Sequence, residues 1–247
     1  MLIQAILLVC ILLTSILSGV LGMAGGMILM AILVSVVSVS AAMMVHGAVQ
    51  ATANGSRAWF LRSHIQWRIL PTYTLGAAIS LGAFWSVTLV PNASVILIIV
   101  GLLPWLARLI PKLRGLDVCH PTTAFLCGTV VTSAQLFAGA SGPLLDVFYL
   151  NSPLNRYQVI ASKALTQTLG HLLKLIYYGL IIGVVDGIPW WFYTIAMVVA
   201  VTGTRIGTRV LERISDTRFR QISGYVILFI AAVCALKGTL ELLAGGN

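Results

Sequence analysis

Apolar residues dominate the chain in long runs, at about 2–21, 26–40, 41–62, 69–90 and 93–110, and again at about 122–138, 143–151, 156–184, 188–206 and 222–244. Several of these runs approach the roughly 20 residues that an α-helix needs to cross about 30 Å of hydrocarbon. None shows the apolar/polar alternation of an outer-membrane barrel strand. The pattern predicts an all-α polytopic membrane protein of ten segments. Two of the segments depart from the spanning length: 26–40 is shortish and 143–151 is too short to cross. Each follows a glycine-containing break, "GMAGG" at 22–26 and "GASGP" at 139–143. The breaks predict a helical hairpin interrupted at membrane depth in each half, followed by three spanning helices.

The polar positions inside the apolar runs are ordered. His46, Gln50, Asn54 and Arg57 are spaced 4, 4 and 3, and Lys163, Gln167, His171 and Lys174 repeat that spacing. Such spacing places each set on one helix face. A shift of 117 residues superposes the two sets, and it also carries Gly22 onto Gly139 and Gly25 onto Gly142. The chain therefore reads as a single membrane domain, 1–247, made of two repeats at about 1–115 and 116–247.

Composition agrees with the pattern. Of 247 residues, 59% are hydrophobic and only 9% charged, too little charge for a surface that faces water all round. The net charge of +9 would suggest nucleic acid in a soluble protein. In a membrane protein it records the excess of Lys and Arg in cytoplasmic loops, so no nucleic-acid partner is expected. Arg57, Arg62 and Arg68, then Arg108, Lys112 and Arg114, then Arg156, and finally Arg205, Arg209, Arg213, Arg218 and Arg220 mark basic connections. The connections at 91–92 and 186–187 carry no basic residue. Placing the basic loops in the cytoplasm makes segment three run inward and segment eight outward, so the halves are expected to be inverted, with both termini outside. The four cysteines are scattered without metal-ligand spacing and read as packing thiols. The N-terminus lacks a basic region before its apolar run and reads as a first membrane helix.

A polar stripe facing lipid would be costly, so both stripes are expected to face the bundle interior or a wet cavity. Together they hold two histidines, three cations, two glutamines and an asparagine, with no acid. Fixed cations, amide donors and imidazoles suit an anion. Helix starts at the breaks add free N–H groups and the positive dipole end, which brings in Gly25, Gly26, Ser141 and Gly142. The expected anion contacts are thus Gly25, Gly26, His46, Gln50, Asn54, Arg57, Ser141, Gly142, Lys163, Gln167, His171 and Lys174. Gly22 and Gly26 also form a G-x-x-x-G pair, a close-packing surface for two helices. Asp146, four residues past Gly142, is either an ion-pair partner of Lys163 or a proton-coupling residue. No metal site or cofactor is expected. Neither H-E-x-x-H, G-x-S-x-G nor the phosphate-loop pattern occurs, which leaves catalysis without a signature.

The stretches "LSGVLGMAGGMILMAIL" and "GASGPLL", with the stripe after each, resemble the sulfite exporter TauE/SafE family of membrane permeases. The likeness covers nearly the whole chain. Its first break departs from the family's G-x-G-G-G pattern, with Ala24 in place of a glycine and no proline following. The resemblance implies a secondary transporter in the bacterial inner membrane, moving a small anion such as sulfite, sulfoacetate or another organosulfonate by alternating access, with proton coupling an option. An anion channel and an intramembrane enzyme are the alternatives.

Overall fold

In the computed structural model, which describes residues 2–21, 24–109, 116–183, 188–211 and 216–245, every regular element is helical among those residues. The order is α1 (Leu2–Leu21), α2 (Ala24–Val34), α3 (Val39–Phe60), α4 (Leu70–Val87), α5 (Ala93–Leu109), α6 (Pro121–Ala138), α7 (Gly142–Leu150), α8 (Arg156–Ile176), α9 (Trp190–Leu211) and α10 (Asp216–Leu243). Gly22, Lys112, Arg114, Arg213 and the connection at 186–187 lie outside the described residues.

The boundaries follow from local chemistry. The Ser38 side chain accepts from the Ala41 amide to start α3, and Asn155 with Gln158 closes a reciprocal capping box at the start of α8. Prolines open α4, α6 and α7 in their first turn, where a missing N–H costs nothing. Gly139 ends α6 at φ +75°, a left-handed conformation that glycine adopts without steric penalty. The expected short segments are short in the structure. α2 has 11 residues and α7 has 9, about 17 and 14 Å of helix, half of what a bilayer crossing needs.

Small residues set the packing. Gly47 of α3 rests on Leu175 of α8, and Gly55 rests on Thr168, so these two helices run antiparallel. Gly101 of α5 meets Ala231 and Ala235 of α10 while Gly238 meets Ser94 and Leu97, again antiparallel. Gly203 and Gly207 of α9 lie against Ser15 and Gly19 of α1 in the same order, so that pair is parallel. Gly76 and Ser80 of α4 meet Thr129 and Ser133 of α6, also parallel. Close approach of backbones through small residues is the usual packing of helices in lipid.

The outer faces are apolar at helical spacing. Leu2, Ile6, Val9 and Leu13 are exposed on α1, and Tyr225, Phe229, Val233, Leu236 and Leu240 on α10. In water such stripes would be a liability; hydrocarbon is their matching solvent. Among the described residues, α1 and α10 contain the two stretches, Leu2–Val20 and Tyr225–Leu243, that are long and apolar enough to span on their own. α3 and α8, at 22 and 21 residues, are long enough but carry the polar stripes, and they are packed inside the bundle.

Candidate functional site

The two stripes meet. His46 and His171 lie with ring centroids 5.4 Å apart, one from each half of the chain. Around them is a small cavity walled by His46, Gln50 and Asn54 of α3, Gln167 and His171 of α8, and Gln135 of α6. The starts of both short helices complete it, with Gly26 and Met27 from α2 and Ala140, Ser141 and Gly142 from the second break. Two helix N-termini thus border one cavity from different halves of the sequence. A Cβ at Gly26 would come within 3.3 Å of the Gln50 amide, so the glycine brings the start of α2 close against that side chain.

Proton positions follow from the backbone carbonyls, which only accept. Gln135 Nε2 donates to the Gly139 carbonyl at 3.1 Å, which fixes the amide's orientation. The same nitrogen lies 2.7 Å from His171 Nδ1, so that ring nitrogen accepts and the proton of neutral His171 sits on Nε2. Ser141 donates its hydroxyl to Gln135 Oε1 at 2.6 Å. On the other side, His46 Nε2 lies 2.9 Å from the Gly26 carbonyl and must carry the proton. His46 Nδ1 then accepts from Lys174 Nζ at 2.8 Å, and Lys174 also donates to the Gly139 carbonyl at 3.0 Å. Asn54 Nδ2 donates to the Gln50 carbonyl at 3.0 Å. Gln50 Nε2 is buried with no hydrogen-bond partner among the described residues. An unanswered donor of that kind is costly unless something fills the cavity.

Of the residues expected from sequence, the structure brings Gly26, His46, Gln50, Asn54, Ser141, Gly142, Gln167 and His171 to the cavity wall. Gly25, Arg57, Lys163 and Lys174 are not on it. Gly25 instead packs against the Thr14 carbonyl and Ser18 of α1. Arg57 donates to the Ser18 carbonyl at 3.1 Å, close to the end of α1, where a cation satisfies a helix's negative terminus. Lys174 does the same just past the end of α6. Lys163 is paired with Asp146, outside the cavity. Gln135 was not anticipated, since its position 117 residues earlier is Ser18 and the repeat gives no echo of it. Its signal is a lone amide at membrane depth, four residues before Gly139. No group of three or more His, Cys, Asp or Glu side chains with metal-binding geometry occurs among the described residues.

The fold is that of a helical membrane protein, with a polar cavity in its interior. The sequence model of the sulfite exporter TauE/SafE family matches residues 7–234, and the chain belongs to that family. It is therefore a membrane-integral member of a transporter family associated with sulfur anions. No curated protein and no solved structure matches the chain.

Proposed function

We propose that this protein is a secondary transporter that carries a small sulfur oxyanion, sulfite or an organosulfonate, through the cavity between α3 and α8 by alternating access across the inner membrane. One observation carries the reading. The cavity is walled by amides, imidazoles, a hydroxyl and two helix starts, contains no carboxylate, and holds an unanswered donor on Gln50. Donors converging in a water-poor site favour an anion.

Inverted halves are the second part of the proposal. The 117-residue shift maps α1 to α6 and so on to α5 and α10. Under it the α1–α9 contact becomes the α6–α4 contact, both parallel, while α3–α8 and α5–α10 map onto themselves, both antiparallel. A two-fold axis in the membrane plane would produce that set of directions, and many secondary transporters place their site on such an axis. Alternating access, as opposed to an open channel, is supported by the difference between the cavity's two ends. Lys174 and His46 close one end, both at most 1% exposed, with the buried Tyr177 and Tyr178 following Lys174 in the chain. Beyond the opposite wall, towards the start of α8, the side chains of Lys163 and Asp146 are 22% and 40% exposed. The charge rule puts that more open end towards the cytoplasm.

The test is a melting-temperature screen of the purified protein with sulfite, sulfonates and carboxylates, followed by flux into proteoliposomes. A ligand that binds only the folded state raises the melting temperature by mass action. Stabilisation by sulfite or a sulfonate, with saturable flux, is the expected result. Conductance without saturation would point to a channel, and stabilisation by cations alone would remove the anion reading.

A further inference from the structure

Lys174 is fully buried, and its surroundings count protons. An ammonium group offers three donors and accepts nothing, whereas a neutral amine offers two and keeps a lone pair. Nζ meets two acceptors, His46 Nδ1 at 2.8 Å and the Gly139 carbonyl at 3.0 Å. Two donors match two acceptors. The groups that face the pair are His46 from α3, His171 from its own helix, Gln135 from α6, and the Gly26 and Gly139 carbonyls from the breaks. None is an anion. The carboxylates whose side chains are described are engaged elsewhere: Asp146 with Lys163, Glu241 with Lys237, and Asp117 with the Cys119 amide and His120.

We propose that the Lys174–His46 pair is uncharged in the empty site and takes up one proton when the anion binds, so that anion and proton cross the membrane together. This rests on the cavity being the anion site, as argued above. The added proton comes from water at the open end and joins the Nζ lone pair, or equivalently His46 Nδ1 across their hydrogen bond. No other bond forms or breaks. The pair titrates as a unit. A buried cation without a counter-ion is expensive, and so is a buried anion. Each lowers the cost of the other, which makes their binding mutually dependent by linkage.

The experiment is calorimetry on the full-length protein in buffers of different ionisation enthalpy at one pH. Methanesulfonate, which does not titrate near neutrality, is the counting probe, and sulfite with its own protonation subtracted is the second. The expected result is one proton taken up per anion, with affinity falling about tenfold per pH unit on the alkaline side. Lys174→Arg carries a fixed charge and should bind the anion with no proton uptake. Binding by the parent without uptake overturns the proposal. So does uptake in Lys174→Arg equal to the parent's, as a purely structural lysine would give, or loss of uptake in Asp146→Asn. If Lys174→Arg does not fold, the parent's proton count decides alone. Failure of both probes to bind would instead overturn the anion reading of the cavity.

Discussion

Lys163 and Lys174 occupy one helix, three turns apart, yet they live in different chemistry. Lys174 is wholly buried and, among the described residues, hydrogen-bonds only an imidazole and a backbone carbonyl. Lys163 is partly exposed and meets the carboxylate of Asp146. The 117-residue shift relates Lys163 to His46 and Lys174 to Arg57, so each half provides a basic or imidazole group at both of these stripe positions. The sequence makes the two ends of the cavity nearly equivalent, and the structure makes them unequal. What the difference teaches is that a pseudo-symmetric polar stripe need not have equivalent surroundings, which under the proposed mechanism makes one end a seal and the other a mouth.

The sharpest way to break this comparison is sidedness, where the expected effect is all or none. The loops beside Ser63 and Ser152 belong to one end of the bundle, since His64 stacks on Tyr157 and the Gln66 amide donates to Ser162. Asn92 belongs to the other, near Leu89, whose carbonyl accepts from Tyr177. In a cysteine-free background, Ser63→Cys and Ser152→Cys should react with an impermeant thiol reagent only from the cytoplasm, and Asn92→Cys only from outside. Labelling of all three from one side would dissolve the distinction between mouth and seal.

Stability should separate the two lysines next. Lys174→Ala strips a donor from two buried acceptors and leaves a void, which should cost about 2–5 kcal/mol. Lys163→Ala breaks a partly exposed ion pair and should cost about 0–1 kcal/mol. Denaturant unfolding of both purified variants measures this, and equal losses would contradict it. The two breaks offer a smaller contrast. A Cβ at Gly25 would run into the Thr14 carbonyl, so Gly25→Ala forces α1 and α2 apart and should cost about 1–3 kcal/mol. Gly139→Ala pays for its left-handed φ, about 1–2 kcal/mol, while its close neighbours, the thioether ends of Met30 and Met43, can yield. Melting curves should rank Gly25→Ala below Gly139→Ala.

Much of this is readable in the sequence. The helix positions follow from apolar run length, and the meeting of the stripes follows from 4, 4 and 3 spacing, because a polar face inside a bilayer has nowhere to go except inward. Gly26, Ser141 and Gly142 were legible as helix starts beside the breaks. The hydrogen bond from Lys174 to His46 was not, since it depends on the antiparallel register of α3 and α8, and 128 residues separate the partners. Nor was the use of Arg57 at the end of α1, because charge and spacing alone cannot distinguish a cation that meets an anion from one that satisfies a carbonyl. Gln135 escaped because it stands alone on α6 among small and apolar neighbours, and Met27 and Ala140 because nothing polar marks them.

The central claim, that an anion rests on the amides between α3 and α8, is tested most directly by the sulfite affinity of Gln167→Ala. Gln167 lines the cavity on α8, one turn from His171, whereas Ile176 lies further along α8 with 41% of its surface exposed. Calorimetry on the parent, Gln167→Ala and Ile176→Ala, with melting temperatures beside them, should show Gln167→Ala weakened by about 1–3 kcal/mol, roughly 5- to 150-fold in affinity, at nearly unchanged stability. Ile176→Ala should bind as the parent does. Unchanged affinity in Gln167→Ala, with a marked loss of melting temperature, would make that amide a bridge between helices and contradict the account.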